Sequence, residues 1–298
     1  MQAREDRAGK PLRLPPWLRV KTGKREQSED THRLVERHGL RTVCSAARCP
    51  NVGECYACGT ATFLILGGHC TRDCRFCAVP NGPPDPVDAE EPRRVAQAVR
   101  ELDLRYAVVT SVTRDDLPDG GAGHFAATIA AIREHAPETA VEVLTPDFLG
   151  DKAALSVVLE AGPVVLNHNV ETVRRLQKRV RPQADYERSL GVLRAAGERA
   201  PGIARKSGLM VGLGESDEEI REALEDLYQA GVSLVTIGQY LRPTVRHLAV
   251  DRYVPPEQFE RYIEWGRAIG LRFVAAGPFV RSSYQAAEAL AASKLRAE

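Results

Sequence analysis

Cys70-Thr-Arg-Asp-Cys74-Arg-Phe-Cys77 sets three thiols in the spacing C-x-x-x-C-x-x-C. Thiolate is a soft ligand that matches iron–sulfur cores, so three on one tight loop can hold three irons of a 4Fe–4S cube. The absent fourth cysteine is the informative part, because it leaves one iron open to a small molecule. The competing reading is a zinc site completed by His69. A histidine adjacent to Cys70 is awkward for a tetrahedral ion, and the paired cysteines typical of zinc modules are missing. Just upstream, Cys44, Cys49 and Cys55 form a second set, C-x-x-x-x-C followed by C-x-x-x-x-x-C, in a Gly- and Pro-bearing stretch. It too is one ligand short, and standing alone it also reads as a zinc clip or plain loop cysteines. Cys58 lies outside both spacings and reads as a small packed residue.

The elements that must position these thiols follow from the pattern downstream of residue 60. Short β runs are expected at about Thr62–Leu66, Tyr106–Ser111, Val141–Leu144, Val164–Asn167, Lys206–Val211, Leu234–Gly238 and Phe273–Ala276. Helical periodicity fills the gaps, near Glu91–Leu102, Phe125–His135, Asp151–Glu160, Glu171–Gln177, Tyr186–Ala196, Ser216–Gln229 and Pro256–Ile269, with a last helix over Ala286–Leu295. Such βαβα alternation predicts a parallel sheet with helices outside it. The fold class is therefore α/β, a partial (β/α)6-type TIM barrel with an N-terminal Cys-rich extension and a C-terminal extension. The domain expectation is an arm and Cys-rich loop over 1–60, the barrel over 61–280 and a tail over 281–298. Barrels of this kind place their chemistry at the C-terminal ends of the strands. The Cys70 group follows the first β run and lands on that face.

The three-Cys spacing after the first strand of a βα barrel resembles the radical SAM superfamily. The resemblance implies that the open iron chelates the amino and carboxylate groups of S-adenosylmethionine (SAM). One electron then cleaves SAM to methionine and a 5′-deoxyadenosyl radical. The stretch TVCSAARCPNVGECYACGTATFLILGGHCTRDCRFC is similar to the lipoyl synthase family, as are KPLRLPPWLRVK, TSVTRDDLPDGGAGHF, NHNVETV, RPQADYERSLGVL, KSGLMVGLGE, TIGQYLRPT and GPFVRSSY. Together these cover about residues 10 to 286, and the two Cys spacings with RSSY form the specific part. The family implies a sulfurtransferase with two 4Fe–4S clusters, one held by Cys70, Cys74 and Cys77, the auxiliary one by Cys44, Cys49, Cys55 and a serine of RSSY. Ser283 is the expected serine and Ser282 the second choice. From residue type alone, either would be a solvated or capping hydroxyl. Thr110, Ser111, Asn169, Glu171 and Gly212 are candidate SAM contacts by their place after successive β runs, although each equally suits a turn or a cap.

The implied reaction inserts sulfur at carbons six and eight of a protein-bound octanoyl-lysine. Those hydrogens are not acidic, so acid–base side chains cannot remove them and a cofactor must carry the step. No Ser–His–Asp arrangement is expected. The implied partners are octanoylated lipoyl domains or the glycine-cleavage H protein, a low-potential donor (ferredoxin or flavodoxin) and an iron–sulfur carrier. Two other readings compete: a radical SAM enzyme of different substrate, and a two-cluster electron carrier, although carriers usually close every corner with cysteine.

Composition sets the outer bounds. The net charge of +1 over 298 residues gives no ground for nucleic acid or a membrane surface as partner. No apolar run reaches membrane-spanning length and the N-terminus has no signal-like apolar region, so a cytoplasmic monomer is expected. All seven cysteines crowd between Cys44 and Cys77, which suits metal binding better than a distributed disulfide framework.

Overall fold

The computed structural model describes residues 13–19, 25–46, 49, 51–52, 62–283, 286, 288, 290 and 291, with the side chains of 25–28 excepted. Seven parallel strands run in chain order: β2 (Thr62–Ile65), β3 (Tyr106–Ser111), β4 (Ala140–Leu144), β5 (Val165–Asn167), β6 (Ala204–Val211), β7 (Leu234–Gln239) and β8 (Phe273–Gly277). A two-residue strand, β1 (Arg41–Thr42), pairs antiparallel with β2 in the register Arg41↔Leu64. The sheet curls without closing, with β1 and β8 at its edges. The first six parallel strands each lead into helix and the seventh leads into the tail, which gives the six β/α units expected.

The period of two in each strand sorts its side chains between the helices and the barrel interior. Phe63, Val109, Val143 and Leu166 face outward into one apolar cluster with Val95, Phe125 and Leu155 of the helices Glu91–Glu101, Ala122–His135 and Lys152–Glu160. Leu209, Ile237 and Val274 join a second cluster with Ile220, Leu224 and Phe259 of the helices Asp217–Gln229 and Pro256–Ile269. The alternate residues face inward. Low in the barrel they form a buried polar plug: Lys206 Nζ bonds Glu142 Oε1 at 2.9 Å, and Tyr106 donates its hydroxyl to Glu142 Oε2 at 2.7 Å. High in the barrel they are Thr62, Leu64, Thr110, Gly208, Met210, Thr236 and Gly238, small enough to leave a cavity.

Two local expectations differ from the structure. The stretch expected as helix over Glu171–Gln177 is a bridge at Glu171 to Leu209, then a 3-10 turn at Arg174–Leu176 and a short helix at Gln177–Val180. Glu171 has a φ of 65°, a left-handed conformation that no helix interior accepts. Cys44 sits in a one-turn helix, Val43–Ala46, not in loop. The Asp217–Gln229 helix opens with a reciprocal capping box between Ser216 and Glu219. Ser216→Ala is expected to cost about 1 kcal/mol, read as a Tm lower by ~2–4 °C. Among the described residues no helix is long and apolar enough to cross a membrane.

Candidate functional site

At the C-terminal end of the strands lies a cavity of about 500 Å³, and both described cysteine sets open onto it. Cys70 follows β2 on a loop pinned at its base: its N–H donates to the Pro80 carbonyl at 2.8 Å, and its own carbonyl accepts from Gly82 N–H at 3.2 Å. The Cys70 Sγ accepts from the backbone N–H groups of Thr113 (3.3 Å) and Arg72 (3.4 Å), which aims it inward. Burial, reinforced by the neighbouring charges of Cys74 and Cys70, pushes the Cys77 thiol up to about 12. Burial also raises the Cys74 thiol, against the opposing charge of Arg181. Thiols that crowd and desolvate one another in this way keep their protons until a cation arrives, so the donor set fits an iron–sulfur core. His69, the fourth ligand of the zinc reading, instead bonds Asp85 through Nδ1 at 3.0 Å and does not line the cavity.

Cys44 and Cys49 also line the cavity, with Ser282 and Ser283 of the tail. Burial raises the Cys44 thiol, with the Cys49 charge acting in the same direction. No disulfide joins the five described cysteines. Cys55 and Cys58 lie outside the described residues. The tail is held at three points. Asn51 Nδ2 donates to the Phe279 carbonyl at 2.6 Å, a bond that spans from one sheet edge to the other. The Val280 carbonyl rests on Gly238, where an added Cβ would stand only 2.1 Å from it. Ser282 Oγ accepts from Asn169 Nδ2 at 2.7 Å. Ser282 is thereby engaged with the loop after β5, and both serines line the cavity.

The candidate SAM contacts divide. Ser111 Oγ and Asn169 Oδ1 line the cavity as buried polar atoms with no partner among the described residues. Glu171 lines it too; burial raises its carboxyl, against Arg181 and the hydrogen bond from Asn169. The Thr110 hydroxyl also borders the cavity but donates to the Leu144 carbonyl at 2.8 Å. Gly212 does not line it. Its N–H and that of Leu213 donate to the Glu215 carboxylate at 2.6 and 2.9 Å, and an added Cβ would meet Gln239 and the Arg252 carbonyl. The glycine freedom there serves the packing of a loop. Gly208, four residues earlier on β6, is the glycine that opens space against Asn169.

Three further residues share the cavity and were not singled out by motif. His168 is fully buried, with Nδ1 against the Thr145 carbonyl at 2.9 Å. Burial, reinforced by the Arg181 charge, lowers its pKa to about 4, so the ring is neutral and Nε2 presents a lone pair without a partner. Thr145 Oγ1 is a second orphan. Arg181 donates to the Asn169 carbonyl at 2.9 Å and sets its charge beside Cys74 and Glu171. His168 stands inside the NHNVETV stretch and Arg181 opens the RPQADYERSLGVL stretch, but neither residue type at its position points to a ligand. Buried orphans cost free energy unless a ligand satisfies them. This set of a hydroxyl, an amide oxygen, an imidazole nitrogen and a carboxylate suits a ligand with ammonium, hydroxyl and amine donors, as SAM has.

The comparisons with known proteins agree with this chemistry. The radical SAM superfamily profile matches residues 64–227. Lipoyl synthase of Caldanaerobacter subterraneus subsp. tengcongensis is 56% identical over 278 residues, which cover 92% of this chain and 96% of that protein. Lipoyl synthase of Thermus thermophilus is 56% identical over 276 residues, covering 91% and 85%. Among solved structures, Streptococcus suis SuiB bound to its precursor peptide SuiA superposes with a TM-score of 0.57 at 12% identity, over 85% of this chain and 53% of that one. HydG, a maturase of the [FeFe]-hydrogenase, gives 0.53 at 14% identity, over 85% and 69%. At these identities the structural likenesses speak to the fold alone, a partial parallel barrel. Superfamily membership brings a 4Fe–4S cluster and SAM as cofactors. With more than half of its residues shared along almost its whole length, the chain belongs to the lipoyl synthase family of radical SAM sulfurtransferases.

Proposed function

We propose that the chain inserts two sulfur atoms, at carbons six and eight, into an octanoyl chain carried on a protein lysine. The supporting observation is one cavity lined both by Cys70, Cys74 and Cys77 and by Cys44, Cys49 and Ser283. On this reading the first set holds the SAM-binding cluster, and the second set, with Cys55, holds an auxiliary cluster that is the sulfur-donating substrate. When bound, the first cluster and SAM supply an electron and a carbon-centred radical able to take hydrogen from an unactivated carbon. The protein's part is to bind, aim and exclude water. Ser111, Asn169 and Glu171 offer acceptors to SAM, and neutral His168 offers one more lone pair. Leu64, Leu144, Val112 and Met210 supply the apolar wall that an octanoyl chain requires. The residues divide accordingly: 1–60 bring the auxiliary ligands, 61–280 the barrel, and 281–298 the serine.

The implied partners are an octanoylated lipoyl domain or glycine-cleavage H protein, a low-potential ferredoxin or flavodoxin, and an iron–sulfur carrier that restores the auxiliary cluster. Clustered free thiols suit a reducing compartment such as the cytoplasm. The test is an anaerobic turnover with reconstituted enzyme, SAM, dithionite and an octanoyl-lysyl peptide. The expected product gains two sulfurs and loses two hydrogens, with two 5′-deoxyadenosines released per lipoyl group. Deoxyadenosine without change in the peptide would point to another substrate. No effect of SAM on the EPR spectrum of the reduced cluster would favour an electron carrier.

A further inference from the structure

Three arginines lie on segments that meet at the Cys70–Cys77 loop, and none has a side-chain partner among the described residues. Arg75, between Cys74 and Cys77, is exposed. Its N–H donates to the Val180 carbonyl at 3.0 Å, which brings up the short helix Gln177–Val180 with half-buried Arg179. Its carbonyl accepts from Leu248 N–H at 3.1 Å, which brings up the loop after β7 with exposed Arg246. Among the described residues these three make no ion pair or side-chain hydrogen bond. Elsewhere arginines such as Arg72, Arg114 and Arg188 are matched to carboxylates. Asp73 is exposed on the same loop, so the local balance stays positive in a chain of net charge +1.

Between Arg242 and Arg246, Val245 stands 84% exposed, the most exposed of the large apolar side chains among the described residues. Its loop is not loose. Tyr240 donates its hydroxyl to the Leu248 carbonyl at 2.8 Å, and His247 bridges Thr244 Oγ1 at 2.8 Å and the Cys77 carbonyl at 2.9 Å. Because Nε2 faces a carbonyl it carries the hydrogen, and Nδ1 accepts from Thr244. The patch is thus a firm, basic surface with an apolar knob, one residue from Cys74 and one hydrogen bond from Cys77.

We propose that this face docks an acidic, low-potential one-electron carrier protein and is the electron entry to the cluster site. The proposal rests on the reading that Cys70, Cys74 and Cys77 hold the SAM-binding cluster. An acyl carrier has a different requirement: its chain must reach the cavity between the two cysteine sets. An electron needs the shortest route to iron, and this surface lies outside the loop that bears two of the ligands. Unpaired cations steer an acidic partner and set its orientation. Redox encounters need only a small contact, which a knob with a charged surround provides. Each docked carrier is oxidised by one electron, which would cleave the S–C5′ bond of one SAM, sulfur leaving with an electron pair in methionine and the carbon keeping the unpaired electron.

The experiment uses holoenzyme with both clusters and measures deoxyadenosine formation with reduced flavodoxin and, separately, with dithionite. The variants are Arg179→Glu/Arg246→Glu and Val245→Asp. The expected result is a kcat/KM for flavodoxin lower by about 10-fold or more in the double variant, since charge steering alone spans 10-fold and upward. Its dithionite rate should match the unaltered enzyme. The flavodoxin rate of the unaltered enzyme should fall as salt rises, while that of the double variant should stay nearly flat. Equal flavodoxin rates in variant and unaltered enzyme would overturn the proposal, as would an equal loss with both reductants, which would mean a damaged cluster loop. A raised KM for the octanoylated carrier with dithionite as reductant would overturn it in favour of acyl-carrier docking. Failure of dithionite to yield deoxyadenosine in the unaltered enzyme would instead strike the cluster assignment beneath it.

Discussion

Ser283→Ala is expected to cleave SAM at close to the unaltered rate while sulfur insertion falls by at least ~100-fold. Residues that merely support a metal ligand are worth about 10–100-fold, so loss of a ligand should cost no less. The separation of the two readouts follows from the layout. Ser283 lines the cavity from the tail after β8, whereas Cys70, Cys74 and Cys77 come from the loop after β2. A hard oxygen ligand holds iron less firmly than thiolate, which suits a corner that must open for sulfur to leave. Ser282→Ala is the internal control. It removes only the acceptor of the Asn169 hydrogen bond, and the tail retains Asn51 and the seat on Gly238. Its loss should be far smaller, about 10-fold or less, that of a positioning contact. The measurements are deoxyadenosine and lipoyl peptide from one reaction, with iron and sulfide counts on each protein. Full insertion by a homogeneous Ser283→Ala protein would sink the ligand assignment.

The seven parallel strands were legible because short apolar runs alternating with helical periodicity are a local pattern, and each was located to within about two residues, whereas the two-residue β1 was not expected. The helix expected over Glu171–Gln177 failed for an equally physical reason. Its apolar spacing, Val173 and Leu176, is real and both residues are buried, but Glu171 is pulled into a left-handed conformation by bonds to strand β6. Tertiary pairing there overrode a weak local preference. Within the candidate site, residues in dense motifs could be read, whereas residues that act across the chain could not. Asn51 meets Phe279 from 228 positions away, and no spacing rule reaches that far. Gly212 shows the ambiguity of a short glycine motif: its context suits a cofactor approach or a turn, and here its positive φ goes with close packing on Gln239 and the Arg252 carbonyl.

Arg72→Met is expected to destabilise the fold by about 3–5 kcal/mol and to empty the neighbouring cluster site. Arg72 lies inside the C-x-x-x-C-x-x-C loop, is only 4% exposed, and grips Asp115 through two bonds of 2.7 and 2.9 Å and Asp147 at 2.6 Å. These tie the loop to the segments after β3 and β4. Asp147 is fully buried, and Arg188 approaches it at 3.3 Å as a lesser partner, so the cost should fall toward the lower bound. Methionine fills the space but leaves the carboxylate without its main counter-charge. Burial alone would raise the Asp147 pKa, but the hydrogen bond and charge of Arg72 outweigh it and hold it down to about 2, against 3.8 ordinarily. A depressed folded-state pKa stabilises fully above the unfolded value, and the effect is lost as pH falls from about 4 toward 2. It is worth about 2 kcal/mol. Without Arg72, burial dominates and the sign reverses, so the variant should gain stability relative to the unaltered chain as the pH falls. Urea unfolding followed by circular dichroism at neutral pH and near pH 3.5 would show the gap narrowing. A gap independent of pH would mean that the loss comes from packing and not from the ion pair. Arg72→Lys keeps the charge without the two-pronged fit and should recover part of the stability and part of the bound iron.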